Sequence, residues 1–130
     1  MEILLATKNK NKFIELKNIF DHSNSEHELL FYSDLIEVEE DKETIFENAK
    51  KKAIEVYKEY EKPVISDDSG LFVNSLNGEP GVKSARYAGE QATDQDNIEK
   101  LITELTNEEN RSASFKTVLF FYDGENEITT

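Results

Sequence analysis

Cysteine is absent from this sequence, and so is any long hydrophobic run. Without cysteine the chain can form no disulfide bond, offers no thiol nucleophile and cannot build a cysteine-ligated zinc site. Lysines interrupt the first 20 residues after a short apolar run, so the sequence predicts neither a signal peptide nor a membrane-spanning helix. These absences favour a cytoplasmic protein without a membrane partner.

Positive charge is also scarce. The chain has 15 Lys and Arg residues against 28 Asp and Glu residues, which gives a formal net charge of -13 at pH 7. Nucleic acids and anionic membrane surfaces bind proteins through basic surfaces, so neither is expected as a partner. A small phosphorylated ligand remains compatible with this charge, because it needs only a local cationic site and a metal ion.

The apolar residues that are present fall into separated runs, as in a folded α/β domain. They make up 37% of the 130 residues and include thirteen aromatic side chains, eight Phe and five Tyr. A chain of this length suits one domain with its own core, and we expect a single α/β domain with a mixed sheet over residues 1–130. Predicted strands cover residues 2–6, 29–32, 63–65, 71–73, 112–122 and 127–130, and predicted helices begin near residues 12, 44 and 93.

Two adjacent aspartates lie in the segment Ser66–Leu71. We expect a buried strand to end at Ile65 and a turn to carry Asp67 and Asp68 into the next strand. Adjacent carboxylates repel each other, so a cation, hydrogen-bond donors or solvent must offset the repulsion. Aspartate oxygens suit a hard cation such as Mg²⁺, which is often shared with substrate phosphates. A solvated turn explains the same residue types, because Asp, Ser and Gly are common in turns for local reasons.

A lysine-rich loop, residues 7–12, precedes the first predicted helix. It carries Lys8, Lys10 and Lys12, and the helix is expected to begin near Lys12. A helix N-terminus offers free backbone N–H groups and the positive end of the helix dipole, so added lysines predict a phosphate-binding site. A solvated basic loop is the alternative, since the glycine spacing of specific phosphate motifs is missing.

Two further charged segments are candidates for ligand contact. The acidic run at residues 37–41 precedes a helix that Thr44 and Glu47 would open as a capping box, and a solvated loop is its default interpretation. Arg86 lies among small residues in the segment 82–89. A guanidinium there suits a carboxylate or phosphate, although an internal ion pair fits the sequence equally well.

Four stretches, in this order along the chain, resemble the inosine triphosphate pyrophosphatase family, also called the Ham1-like family. They are Thr7–Lys12, Glu39–Ala53, Ser66–Leu71 and Pro80–Gly89, and the last of them is the most specific. The resemblance runs from residue 2 to about residue 122. It implies an ITPase-like α/β fold with a central mixed, twisted sheet flanked by helices.

The same resemblance implies an enzyme that hydrolyses ITP, dITP and XTP to the monophosphate and pyrophosphate, using Mg²⁺. Such enzymes clear deaminated purines from the nucleotide pool and are typically homodimers. A triphosphate brings about four negative charges, which ammonium groups and a metal ion offset as charge develops in the transition state. This activity requires the lysine-bearing start of the first helix to lie close to the twin aspartates.

The family motifs also imply roles for individual residues. Asp68 would be the general base and Lys12 would lie nearest the reacting phosphates, which makes them the implied catalytic pair. The implied substrate-binding residues are Thr7, Lys8, Asn9, Lys12, Lys52, Ser69 and Arg86, and the implied metal ligands are Glu40, Asp67 and Asp68.

The chain departs from the family pattern at several positions. Lys8 stands where many members have Gly, and Lys42 and Glu43 replace the usual Thr-Gly pair after the acidic run. The family's Phe-Gly-Tyr-Asp-Pro and Ser-His-Arg segments have no counterpart, so we expect a family member that lacks its C-terminal part. Two alternatives are an inactive remnant that binds nucleotide or a partner chain, and a Maf-type pyrophosphatase, whose Ser-Pro-Arg-Arg signature is missing from the N-terminal loop.

Overall fold

The chain folds into a mixed α/β protein built on one β-sheet. The structure, a computed structural model, describes residues 1–24 and 26–130. The strands are β1 Glu2–Leu5, β2 Glu28–Leu30, β3 Val64–Val73, β4 Pro80–Gly81, β5 Ala113–Tyr122 and β6 Glu127–Thr129, and the helices are α1 Lys10–His22, α2 Ile45–Tyr60 and α3 Asp94–Glu104. Within the described residues the sheet has six strands in the order β2-β1-β3-β5-β6, with β4 paired to β3.

The sheet contains parallel and antiparallel pairs. β1 runs parallel to both β2 and β3, with Leu5 opposite Ile65 in the second pair. β3 and β4 are antiparallel, and so are β5 and β6, which are joined by a tight turn at residues 123–126. The prediction of an α/β protein with a central mixed sheet is therefore confirmed.

The chain forms two compact units. Unit 1 comprises residues 1–68 and 118–130, and unit 2 comprises residues 69–117. The expectation of a single domain over residues 1–130 stays a prediction. Unit 1 has a buried apolar core drawn from β1, α2, β3 and β5, together with one residue from each of the loops after β1 and β2. Its members are Leu4, Ala6, Leu35, Ala49, Ala53, Val56, Val64 and Phe120.

Helix α1 begins two residues before the predicted start. Asn9 is its N-cap, and the side-chain oxygen of Asn9 accepts hydrogen bonds from the backbone N–H groups of Asn11 and Lys12 at 3.0 and 3.2 Å. Asn is among the preferred residues at this position because its short side chain reaches those amides. Two of the amides that we expected to be free for a phosphate are therefore already bonded within the chain.

Helix α2 follows the sequence pattern closely. Thr44 caps it, since the Thr44 hydroxyl accepts a hydrogen bond from the N–H of Glu47 at 3.1 Å. Phe46 lies in the first turn of the helix, yet this large apolar side chain is 40% exposed. The buried face instead consists of Ile45, Asn48, Ala49, Ala53 and Val56. One of these five residues, Asn48, is polar, and its buried side-chain amide needs hydrogen-bond partners.

The twin aspartates lie inside a strand, so the predicted turn at this position is wrong. β3 is continuous from Val64 to Val73 and contains the whole Asp-Asp-Ser-Gly sequence. Two features accompany this: Lys12 offsets the charge of Asp67, as described below, and Gly70 lacks a Cβ where one would lie 2.5 Å from the carbonyl oxygen of Gly81 in β4. A glycine inside a strand often marks such a close backbone approach.

Helix α3 belongs to unit 2, begins at the position predicted near residue 93 and is opened by a capping box. The Thr93 hydroxyl accepts from the N–H of Asp96, and the Asp96 carboxylate accepts from the N–H of Thr93. Of its expected apolar face, Leu105 is buried whereas Ile98 and Ile102 are 49% and 60% exposed. None of the helices in the described part of the chain is long and apolar enough to cross a membrane.

Candidate functional site

Lys12 and Asp67 form an ion pair in unit 1. The Lys12 ammonium donates a hydrogen bond to Asp67 Oδ2 at 2.7 Å, joining the first turn of α1 to β3. The Asp67 side chain is only 6% exposed and the Lys12 side chain 38%. A nearly buried carboxylate is costly unless a cation offsets its charge, and Lys12 supplies that cation. The predicted approach of the helix start to the twin aspartates is therefore present, with Asp67 as the contact residue.

The other carboxylate oxygen of Asp67 faces no donor. Asp67 Oδ1 is buried and accepts no hydrogen bond from the described residues. Buried polar atoms in folded proteins are nearly always bonded, so an exception needs an explanation, and an ion or water that binds there is one. Asp68 follows directly and is partly buried.

Lys52 links the acidic run to β3. Its ammonium lies 2.7 Å from Glu40 Oε1 and donates a hydrogen bond to the backbone oxygen of Asp67 at 2.9 Å. The Lys52 side chain is 16% exposed and that of Glu40 33%. One ammonium on α2 thus holds a carboxylate from the loop before the helix and the backbone of β3.

The lysine-rich loop is tied down by local contacts. The Thr7 hydroxyl accepts a hydrogen bond from the N–H of Asn9 at 3.1 Å, while the Asn9 side chain caps α1. Lys8 forms an ion pair with Glu37 at 3.3 Å, with side chains 45% and 88% exposed. Exposed pairs of this kind contribute little to stability, so Lys8 can exchange its partner for a ligand at small cost.

An open cleft of about 270 Å³ in unit 1 is lined by part of the lysine-rich loop, by the acidic run and by Lys52, whereas Lys12, Asp67 and Asp68 are not among its lining residues. Leu35, Ile36 and Val38 form an apolar wall, while charged side chains of the lysine-rich loop and of the acidic run line the rest. The predicted site residues on this cleft are Thr7, Lys8, Glu40 and Lys52. Residues from separate parts of the sequence therefore share one cleft, which is slightly smaller than a typical small-molecule pocket.

Residues 39–42, called the acidic segment from here on, are also held by α2. The Lys51 ammonium donates hydrogen bonds to the backbone oxygen of Glu39 at 2.7 Å and to Asp41 Oδ1 at 2.8 Å. The hydrogen bond from Lys51 lowers the pKa of Asp41, and the same bond raises the pKa of Lys51. Both groups face solvent, so the effect indicates a formed contact without a large contribution to stability.

Two predicted site residues, Ser69 and Arg86, lie in unit 2. The Ser69 and Thr117 hydroxyl oxygens are 2.9 Å apart, within hydrogen-bond distance. Arg86 Nε lies 3.9 Å from Glu90 Oε1, which is the internal ion pair that the sequence left open. Burial is the main reason that the pKa of the neighbouring Tyr87 is raised. A role for Ser69 or Arg86 toward a substrate stays a prediction.

The predicted metal ligands fit a hard cation in their chemistry. Glu40, Asp67 and Asp68 offer only oxygen donors, and the buried Asp67 Oδ1 lacks a hydrogen-bond partner in the described part of the chain. Among all the described residues, no group of three or more His, Asp or Glu side chains lies close enough together to hold a metal ion. A metal would therefore complete its shell with water or substrate oxygens, as Mg²⁺ commonly does.

Three supporting residues were not singled out from the sequence. Asn48 and Lys51 contact the acidic segment, and the buried Ser66 hydroxyl donates a hydrogen bond to the backbone oxygen of Ala49 at 2.5 Å, which joins β3 to α2. Asn48 was detectable as a polar residue at a buried position of the α2 pattern. Lys51 gives no such signal, because an exposed lysine on a helix is common.

The sequence and the fold match one family of known proteins. The chain matches the profile of the Ham1 family over residues 3–130. It is 44% identical over 122 residues to the dITP/XTP pyrophosphatase of Flavobacterium psychrophilum, covering 92% of this chain and 63% of that protein. It is 48% identical over 118 residues to the dITP/XTP pyrophosphatase of Desulfotalea psychrophila, covering 90% of this chain and 53% of that protein. The chain thus spans between about half and two thirds of the length of these relatives.

Solved structures give the same result. The Ham1 protein of Staphylococcus aureus is 40% identical and superimposes with a TM-score of 0.86, covering 99% of this chain and 67% of that one. A HAM1 protein from Coxiella burnetii is 33% identical with a TM-score of 0.90, covering 99% and 68%. Since the profile match spans nearly the whole chain and the shared fold accompanies it, the chain belongs to the Ham1 family.

Proposed function

We propose that this chain hydrolyses deaminated purine nucleoside triphosphates, namely ITP, dITP and XTP, to the monophosphate and pyrophosphate. Its membership of the Ham1 family and the names of its relatives support this proposal. The observation that carries it is the 2.7 Å contact between Lys12 and Asp67, because it places a cationic helix start beside a pair of carboxylates. Phosphate transfer needs that combination of cations for the phosphates and a carboxylate for the attacking water.

The proposed substrate contacts follow the charge of the cleft. Lys8 and Lys52 line it and Lys12 contacts Asp67, so their ammonium groups would neutralise phosphate oxygens. Thr7 and Asn9 would add hydroxyl and amide contacts from the same loop. In unit 2, Ser69 and Arg86 would contribute further contacts to the substrate.

We propose Mg²⁺ as the metal, with Glu40, Asp67 and Asp68 as its candidate protein ligands. Because these three side chains are not grouped as one metal site among the described residues, water or substrate oxygens would supply part of the coordination shell. The support is the all-oxygen donor set and the buried Asp67 Oδ1 without a hydrogen-bond partner among the described residues. When bound, the ion would neutralise phosphate charge and lower the cost of developing negative charge on the leaving group.

The proposed chemical step is hydrolysis between the α- and β-phosphates. The oxygen of a water molecule forms a bond to the α-phosphorus while the bond from that phosphorus to the bridging oxygen breaks, and pyrophosphate leaves with the electron pair. The Asp68 carboxylate takes the proton of the attacking water, a role worth about 10²- to 10⁴-fold in rate. Lys12 and Lys52 hold the phosphates so that the water, the α-phosphorus and the leaving oxygen stay in line.

Pyrophosphate release by the purified 130-residue chain tests this proposal. With Mg²⁺ present we expect release from dITP and XTP, and a loss of about 10²- to 10⁴-fold in Asp68→Asn without a change in the thermal unfolding midpoint. Asp34→Asn, at an exposed carboxylate outside the site, is the matched control and should keep the full rate. Full activity in Asp68→Asn would refute the role of Asp68. Binding of dITP without any release by the unmodified chain would favour the inactive remnant instead.

We also propose a single cooperative domain over residues 1–130, a homodimer and a cytoplasmic location. The family resemblance supports the dimer, and the absence of a membrane-spanning helix among the described residues is compatible with the location. Light scattering during size-exclusion chromatography measures the mass in solution, against 15.0 kDa for one chain. A single calorimetric unfolding transition would support one domain, and two separated transitions would contradict it.

A further inference from the structure

One face of α2 holds the acidic segment, and Asn48 makes the most buried of these contacts. Its side chain is only 1% exposed, its Oδ1 accepts a hydrogen bond from the N–H of Lys42 at 2.8 Å, and its Nδ2 lies 3.5 Å from the backbone oxygen of Lys42. The amide of Asn48 therefore meets both backbone polar groups of one loop residue. A buried amide satisfied in this way fixes the position of the backbone that it contacts.

Lys51 holds the acidic segment on either side of Glu40. Its ammonium donates to the backbone oxygen of Glu39 and to the carboxylate of Asp41, at 2.7 and 2.8 Å. Lys52 then contacts the Glu40 carboxylate itself at 2.7 Å. Three side chains of one helix thus contact four consecutive residues of the loop, 39 to 42.

The spacing of these helix residues explains how they act together. Asn48, Lys51 and Lys52 are related by three and four positions, which places them side by side on one face of a helix. The helix is anchored independently of the loop, because Ala49 and Ala53 are fully buried in the core of unit 1. The acidic segment is therefore fixed against a rigid support rather than against another loop.

We infer that Asn48 and Lys51 are positioning residues, which set the backbone of the acidic segment so that the Glu40 carboxylate is in place before any ligand binds. This inference rests on the proposed function only in giving Glu40 a role as metal ligand. Side chains that orient a metal ligand typically change metal affinity or activity by about 10- to 100-fold when they are removed. Neither Asn48 nor Lys51 needs to contact metal or substrate for this effect.

Hydrogen exchange of the free chain tests the positioning directly. In the unmodified protein we expect the backbone amide of Lys42 to exchange slowly, because it donates to a buried acceptor. Asn48→Ala and Lys51→Met should each speed exchange within residues 39–43 by about tenfold or more. Lys50→Met is the matched control, because Lys50 is on the same helix but its ammonium contacts Glu127, outside the acidic segment. Rapid exchange of the Lys42 amide in the unmodified chain would overturn the inference.

The Mg²⁺ dependence of pyrophosphate release separates positioning from a general loss of stability. We expect Lys51→Met to raise the Mg²⁺ concentration for half-maximal activity by about 10-fold or more while the KM for dITP changes little. Lys51→Arg, which keeps a cation with several donors, should restore most of the effect. An unchanged Mg²⁺ dependence in Lys51→Met and Asn48→Ala would refute the positioning role. Inactivity of the unmodified chain would instead refute the proposed function, and hydrogen exchange would still decide whether these residues fix the acidic segment.

Discussion

Lys12 lies in the first turn of α1, where the helix dipole disfavours a cation, and its ammonium is held there by Asp67. The carboxylate of Asp67 is nearly buried, so its desolvation cost is offset only if a positive charge stays close. The pair also leaves Asp67 Oδ1 without a hydrogen-bond partner among the described residues. At the scale of single residues, one oxygen of the Asp67 carboxylate therefore accepts a hydrogen bond from Lys12, while the other has no hydrogen-bond partner among the described residues.

A double-mutant cycle measures how strongly Lys12 and Asp67 are coupled. We expect Lys12→Met to lower the free energy of unfolding by about 1 to 3 kcal/mol, because it leaves a buried carboxylate without its cation. Asp67→Asn combined with Lys12→Met should cost less than the sum of the single changes, since the unpaired charge is then gone. Urea unfolding at pH 7 provides the free energies.

Lys10→Met is the control for this cycle, because Lys10 is an exposed lysine in the same turn of α1. We expect it to leave stability unchanged or slightly improved, since it removes a cation from the positive end of the helix dipole. Additive effects of Lys12→Met and Asp67→Asn would contradict an energetic role for their contact.

At the scale of elements, β3 shows how a strand tolerates a turn-like sequence. The residues Asp67 to Gly70 favour a turn by local propensity, yet they continue a strand that is paired before and after them. β3 pairs with β1 at Val64 and Ile65 and with β4 at Leu71 and Phe72, so tertiary pairing at both ends of the segment outweighs its local preference. The close approach of β4 at Gly81 leaves no room for a side chain at Gly70.

Gly70→Ala tests that close approach within unit 2. The added Cβ would lie 2.5 Å from the carbonyl oxygen of Gly81, and because backbone cannot rotate away we expect a loss of about 3 kcal/mol or more. Gly89→Ala is the comparison, since nothing lies within 4 Å of its added Cβ and only its φ of +142° opposes a side chain. That change should cost about 1 kcal/mol. Equal losses in the two variants, measured by thermal unfolding, would argue against a steric role for Gly70.

Several elements were predictable from the sequence because their signals are local. Thr44 and Thr93 cap α2 and α3 as their spacing to Glu47 and Asp96 indicates. The start of α1 was misplaced because the apolar pattern begins at Phe13, whereas the Asn9 cap starts the helix earlier. The turn at the twin aspartates was wrong because strand pairing outweighed local propensity there.

At the scale of the whole molecule, the dominant feature is the net charge of -13. Like charges repel in the compact state, and this repulsion opposes folding while favouring solubility. Local cations such as Lys12, Lys51 and Lys52 neutralise acids at the candidate site, but most acidic residues are exposed. The candidate site therefore concentrates lysines among its acids on an acidic protein, and the field of these lysines acts only over short distances at physiological salt.

Salt should stabilise this protein. Raising sodium chloride from about 10 mM to 150 mM shortens the screening length from about 30 Å to 8 Å, so repulsion among exposed acids falls and the unfolding midpoint should rise. The experiment uses a chloride salt because sulfate stabilises folded proteins by strengthening apolar burial, which would obscure the effect of charge screening.

A charge-reduced variant is the control for the salt effect. Glu43→Lys, Glu59→Lys and Glu109→Lys each change the charge by +2 at exposed sites, which takes the net charge from -13 to -7. This variant should respond less to salt. A midpoint that falls as salt is added to the unmodified chain would show that attractive ion pairs outweigh the net repulsion.

The sequence by itself determined the α/β class, the family and the capped helices, because these depend on residue spacing within one helical turn or one motif. The tertiary structure alone decided that Lys12 contacts Asp67, that the twin aspartates lie in a continuous strand, and that Asn48 and Lys51 hold the acidic segment. The physical reason is the separation along the sequence of the residues that interact. Helix caps and apolar periodicity depend on residues within a few positions of each other, whereas ion pairs and strand pairs join residues that only folding brings together.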